Sequence, residues 1–210
     1  MTEKDTMALY RKYYVDRDYE RLDLFQLLSN HYDIQNVLYP GSFVHITPSL
    51  VYPVAAYIDS DKQAKKFFSS TQPMDFILKH KQYEEKPTLT FYPQSYTDDL
   101  PEENEAYFDL LISQYAGFIS QHCKKYLKIG GILLANNSHG DASMASIDEH
   151  YTFVGAIMRR NDKYRLIQTN LETYLIPKSG NAVSRQSLEQ TNRGVGYTKP
   201  ASMYLFRRVV

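Results

Sequence analysis

Short, dense apolar runs separated by amphipathic polar stretches dominate the first two thirds of the chain, the pattern of buried strands alternating with helices. QNVLYP from Gln35, VAAYI from Val54, TLTFY from Thr88, FDLLIS from Phe108 and ILLANN from Ile132 read as strands. Lys62 to Phe68, the stretch PMDFILKHKQYEE closed by Pro87, and Phe118 to Tyr126 read as helices between them. Beyond residue 150 the pattern changes: Tyr151 to Arg159 and Tyr164 to Thr169 are longer strand-like runs joined as a hairpin, and Met203 to Val209 makes a last strand. Ahead of the first strand, Thr6 to Asn30 alternates charge with Tyr19, Leu22, Phe25, Leu27 and Leu28 as one apolar stripe, which predicts one or two leading helices. The polar stretch between Ser179 and Ser202 reads as a helix followed by a mobile loop. The expected architecture is a single α/β domain over residues 1–210, a helical extension over 1–33 and an α/β core over 34–210.

Two turns in this pattern carry candidate chemistry. Gly41 lets the backbone leave the first strand by conformations a side chain would forbid, and Tyr39, Pro40, Gly41 and Ser42 surround that exit. Thr47 followed by Pro48 reads as a helix N-cap with proline at the first helical position, where free N–H groups would suit an anion. Asp59 and Ser60 close the second strand, where an acid can accept both hydroxyls of a ribose; Asp61 is a near competitor. Together these form the strand, turn, strand, acid order of a nucleotide-binding unit.

At these residues the chain resembles the class I S-adenosylmethionine-dependent methyltransferases, and the resemblance in strand and helix order runs from about Gln35 to Asn137. The family's loop is an acid, any residue, then glycines at alternate positions. Here Tyr39 stands in place of the acid, Gly41 supplies the first glycine, and Phe43 and His45 replace the later two. The resemblance implies a mostly parallel seven-stranded sheet with helices on both faces and an antiparallel strand inserted near the C-terminus, a feature dinucleotide dehydrogenases lack. It implies S-adenosylmethionine as cofactor, held by the Tyr39–Ser42 turn, by Asp59 and Ser60 at the ribose, by Asp98 or Asp99 at the adenine amine, and by Ser113 and Gln114 after the fourth strand. LKIGG followed by ILLANN resembles the family's helix, Gly-Gly C-cap and fifth strand.

The segment after the fourth strand would flank the transferring methyl group. Enzymes of this type that methylate base amines carry an Asn- or Asp-Pro-Pro-aromatic run there; this chain has Ser113, Gln114, Tyr115 and Ala116, which argues against that activity. Tyr115 is the expected residue nearest the reaction. His139, in the loop holding Asn136, Asn137, Ser138 and Asp141, is the expected base, since histidine titrates near neutrality. His139 and Asp141 alone are too few to form a metal site, and no metal is expected.

Composition narrows the partners. The 24 basic and 24 acidic residues cancel, so no global field draws nucleic acid or an anionic membrane. The single Cys123 excludes a disulfide framework and fits a cytoplasmic protein, and the polar start resembles neither a signal nor a transit peptide. No apolar stretch approaches the roughly 20 residues of a membrane span. Nineteen tyrosines and no tryptophan place Tyr39, Tyr92, Tyr96 and Tyr115 around the expected site, as flat surfaces for adenine or a sulfonium. The expected function is methyl transfer to a small-molecule or protein acceptor. The competing readings are a methyltransferase-like binding or scaffold protein without cofactor chemistry, and a nucleotide-cofactor oxidoreductase, which the missing GxGxxG disfavours.

Overall fold

The computed structural model describes residues 5–210, with the side chain of Glu103 left out; the first four residues of the expected N-terminal extension lie outside the described residues. The chain forms two compact units, Met1–Asp98 and Asp99–Val210.

The first unit opens with a short helix, α1 (Met7–Tyr10), that runs on through a π-helical turn over Arg11–Val15, followed by α2 (Leu22–Ser29). The buried stripe of α2 is Leu24, Phe25 and Leu28; Tyr19 is 48% exposed and lies before the helix, so the expected stripe begins one turn later. Strands β1 (Asn36–Pro40), β2 (Val54–Ile58) and β3 (Thr88–Tyr92) form a parallel sheet in the order β3-β2-β1. Val37, Leu38, Ala55, Ala56, Tyr57 and Ile58 are buried, as expected of a sheet covered on both faces. Helices α3 (Lys62–Phe68) and α4 (Gln72–His80) connect β2 to β3. Asp61 caps α3, its carboxylate accepting from Gln63 N at 2.6 Å and Ala64 N at 3.3 Å.

The second unit holds β4 (Phe108–Ser113), a short α5 (Ile119–His122), β5 (Leu127–Ala135), α6 (Asp141–Ser146), the hairpin β6 (Tyr151–Arg160) and β7 (Lys163–Ile167), α7 (Arg185–Thr191) and β8 (Met203–Arg208). Its sheet runs β4-β5-β8-β6-β7. β4 and β5 are parallel, and β8 lies antiparallel between β5 and β6, the inserted C-terminal strand the sequence led us to expect. The α/β class stands, with eight strands among the described residues instead of seven, because β7 continues the sheet past β6. Its turn uses Asn161 and Asp162, both left-handed at φ +50° and +56°, the conformation a tight two-residue hairpin demands.

Two local expectations are corrected. Gly130 and Gly131 do not cap a helix; they lie inside β5, where the register against β4 shifts. Gly130 has φ +85°, and a Cβ on Gly131 would stand 2.9 Å from the backbone carbonyl of Lys128, so the pair serves a bulge that needs both positions bare. Nor does Thr47 cap a helix with open N–H groups. Thr47–Leu50 is one 3-10 turn preceded by Ile46, all four residues are buried, and the Thr47 hydroxyl is bonded to Tyr10 at 2.8 Å.

Candidate functional site

In the first unit, the turn after β1 and the acid after β2 meet. Gly41 has φ +64°, and its N–H donates to the Ile58 carbonyl at 2.8 Å, which brings the exit of β1 onto the last residue of β2. Ser42 is buried and Pro40 ends the strand, also buried. Asp59 follows directly: Oδ2 accepts the Phe43 N–H at 2.7 Å and Oδ1 the Asp61 N–H at 2.8 Å. Each carboxylate oxygen retains an acceptor site, and the residue is partly exposed, so Asp59 ties the turn together while keeping capacity for a hydroxyl. Asp61 spends its carboxylate on the α3 cap, which separates the two acids the sequence left in competition. Ser60 is exposed beside them.

The positions where later glycines would leave the loop open are filled and covered. Phe43 adopts φ +48°, a conformation unfavourable for a bulky side chain, and meets the Tyr13 ring edge-on at 5.3 Å. His45 is buried and stacked on Tyr14 at 4.3 Å between ring centroids, and the Tyr14 hydroxyl donates to the Ser42 carbonyl at 3.3 Å. Burial pulls the His45 pKa down to about 3, so the ring is neutral. Because a carbonyl only accepts, Nε2–H donates to the Glu20 carbonyl at 2.9 Å, leaving Nδ1 to accept from the Tyr39 hydroxyl at 3.1 Å. Tyr10 donates to Glu20 Oε1 at 2.6 Å, so Thr47 is the donor in the Tyr10–Thr47 bond. The N-terminal segment thus forms an aromatic and hydrogen-bonded cover on the β1 turn. The alternating Tyr and charge from Tyr10 to Glu20 was the signal for it in the sequence.

Asp98 is exposed near the end of the first unit. The alternative, Asp99, pairs with Lys125 at 2.8 Å, and that ammonium holds its carboxyl below the usual range.

In the second unit the carboxyl ends of β4 and β5 carry the other named residues. The Ser113 hydroxyl donates to Asp141 Oδ2, and the Ser120 N–H sits 3.1 Å from both Asp141 oxygens, with the Ser120 hydroxyl on Oδ1. Asp141 is fully buried; burial raises its pKa to about 6 against the opposing pull of the Ser113 and Ser120 bonds. It is therefore a structural tie among the end of β4, the start of α5 and α6. Among the described residues no group of three or more His, Cys, Asp or Glu is placed to hold a metal ion. Cys123 is buried, and burial pushes its thiol up, away from the reactive thiolate.

Tyr115 follows β4 directly, 57% exposed and left-handed at φ +62°, strain that the turn imposes on a side chain held outward. Gln114 is buried beside it. His139 is half-buried with Nδ1 3.1 Å from the Ser138 hydroxyl. Asn136, the residue after β5, is 6% exposed; its Oδ1 accepts from Ser138, while among the described residues its Nδ2 meets no acceptor. An orphaned buried donor costs about 1–3 kcal/mol, so Asn136 is a candidate ligand-facing group, noticed in the sequence only as one polar residue of its loop.

No family model matches this chain, and no curated protein matches it. Among solved structures it is similar to the O-methyltransferase TomG of Streptomyces achromogenes in complex with SAM, at 13% identity over 78% of this chain and 87% of that chain, TM-score 0.49. It is similar to an rRNA methylase of Streptococcus thermophilus, at 10% identity over 89% of this chain and 95% of that chain, TM-score 0.48. A methyltransferase of Geobacter sulfurreducens matches at 13% identity over 80% of this chain and 91% of that chain, TM-score 0.47.

Proposed function

We propose that the protein is an S-adenosylmethionine-dependent methyltransferase acting on a small-molecule or protein acceptor. The supporting observation is the joint made by Asp59: an acid at the carboxyl end of β2, bonded through Phe43 N–H to a left-handed glycine turn at the end of β1. That is the physical requirement for holding a ribose beside a turn that the cofactor can approach. The residues fit the cofactor at the ribose, where Asp59 keeps free acceptor capacity and Ser60 is open to solvent.

When bound, S-adenosylmethionine supplies an electrophilic methyl group on a sulfonium that is itself the leaving group, so the protein contributes mainly position. Tyr39, Pro40, Gly41, Ser42, Asp59, Ser60 and Asp98 of the first unit are the proposed cofactor contacts. Tyr115 is proposed to orient the acceptor nucleophile with its ring and hydroxyl, and His139 to take its proton. Asn136 joins them as a hydrogen-bond donor to the acceptor.

A second reading has its own observation. Phe43 and His45, covered by Tyr13 and Tyr14, occupy the turn where an open glycine loop would receive the methionine end. This favours a methyltransferase-like binding protein that has lost cofactor chemistry.

Calorimetric titration with S-adenosylmethionine and S-adenosylhomocysteine separates the two. Under the enzymatic reading the wild type binds both, and Asp59→Ala weakens binding by roughly tenfold or more, the loss of a charged hydrogen bond of about 1.5–3 kcal/mol. Asp61→Ala, whose carboxylate serves the α3 cap, leaves affinity within a few fold. Absence of binding by the wild type at about millimolar ligand selects the non-enzymatic reading.

A further inference from the structure

The β6–β7 hairpin presents a cationic groove that neither reading above uses. Its register pairs Arg160 with Lys163 and Met158 with Arg165. Side chains two apart on a strand share a face, so Arg160, Met158, Lys163 and Arg165 project to one side. They line a groove of about 660 Å³ together with Tyr174 and Lys199. Lys199 is brought there by the strand-like bridge between Pro177 and Tyr197, and its Nζ stands 4.1 Å over the ring of Tyr174, which is buried at 1% exposure.

Charge is uncompensated in this groove. Like charges directly opposite across a strand pair, as Arg160 and Lys163 are, disfavour the pairing. The nearby Asp162 pairs with Arg159 at 3.2 Å, whose β6 position alternates to the opposite face. Among the described residues none of Arg160, Lys163, Arg165 and Lys199 has an acidic partner. Four cations rim a floor that Met158 and Tyr174 make apolar.

We propose that this groove binds a compact anion carrying two or more phosphate groups. Two guanidinium forks, Arg160 and Arg165, match phosphate oxygens in pairs, and Lys163 and Lys199 add point charges that accept any orientation. A single monoanion leaves most of this charge unneutralised. The bounded groove on a chain of zero net charge favours a small polyanion over a nucleic-acid strand, which needs a track of cations along its backbone.

The test is titration of the full chain with inorganic tripolyphosphate at about 50 mM salt, where exposed charge pairs are weakly screened. Wild-type binding is expected below about 1 mM and at least tenfold tighter than orthophosphate. The double variant Lys163→Glu/Arg165→Glu is expected to weaken it by at least tenfold. Lys199→Glu, outside the hairpin, is expected to do so severalfold, which keeps the test valid if the double variant misfolds. Lys62→Glu on α3 leaves it unchanged. The proposal is overturned by absence of tripolyphosphate binding below about 1 mM, by orthophosphate binding equally well, by folded groove variants of wild-type affinity, or by a single-stranded RNA of about 20 nucleotides binding where tripolyphosphate does not.

Discussion

Replacing Asp141 by asparagine is expected to change how the stability of the second unit depends on pH. The carboxylate is wholly buried, accepts from Ser113 and from both the hydroxyl and N–H of Ser120, and has its pKa raised from 3.8 to about 6 by burial. A group whose folded pKa lies above its unfolded value contributes stability that is fully present below the unfolded pKa, here 3.8, and is lost as pH rises through about 6. At 1.36 kcal/mol per pKa unit the loss is at most about 3 kcal/mol. Asparagine keeps an acceptor for the Ser120 N–H, and its amide can donate to a serine hydroxyl, while carrying no charge. The difference in unfolding free energy, variant minus wild type, should therefore rise by up to about 3 kcal/mol between about pH 4 and pH 8. Urea unfolding across that range, followed by far-UV circular dichroism with m-values compared, measures it. Parallel stability curves for the two proteins would refute the claim that Asp141 holds its proton to higher pH in the folded state.

The remaining expectations are independent of that one. His45 runs the other way: its folded pKa is depressed to about 3 by burial, so the stability it contributes is present above its unfolded value of 6.5 and is lost as pH falls through the acid range; His45→Asn should flatten that acid loss in the first unit, and an unchanged acid profile would contradict it. Asp61→Ala should lower unfolding free energy by about 1 kcal/mol through loss of the α3 cap, read by urea unfolding. Once an acceptor is found, Tyr115→Phe and His139→Ala should lower turnover while cofactor affinity stays within a few fold, whereas full activity of both variants would place the reaction elsewhere. Phe43→Gly should relieve the strained φ of +48° and open the β1 turn, raising S-adenosylmethionine affinity if that ring obstructs the methionine end and leaving it unchanged if it does not, as calorimetry would show.

The strands were legible because a buried strand must be apolar on both faces, and Val37–Leu38, Ala55–Ile58 and Leu110–Ile112 admit little else. Asp59 was legible for a related reason: an acid directly after such a strand has to lie at its carboxyl end. The hairpin at Asn161–Asp162 declared itself through residues that tolerate left-handed backbone. Hydrophobic pattern also fixed the β6–β7 hairpin, since long adjacent runs joined by four residues can pair only by folding back, whereas the inserted antiparallel strand was implied by the family resemblance. Partnership was not legible, because it depends on atoms far apart in the chain. Nothing local tells Gly130–Gly131 at a helix end from the same pair in a strand bulge; the pairing of Leu127 with Phe108 and of Ile132 with Leu110 across the sheet decides it. Asp61 stayed a near competitor of Asp59 in the sequence, and only the start of α3 assigns it to a helix cap while Asp59 goes to the β1 turn. Asp141 looks like a loop acid until Ser113 and Ser120 close around it, 28 and 21 residues away. The aromatic cover on the β1 turn likewise exists only because Tyr14 reaches back to His45, so whether that turn stays open to a ligand was a decision of tertiary packing and not of local sequence.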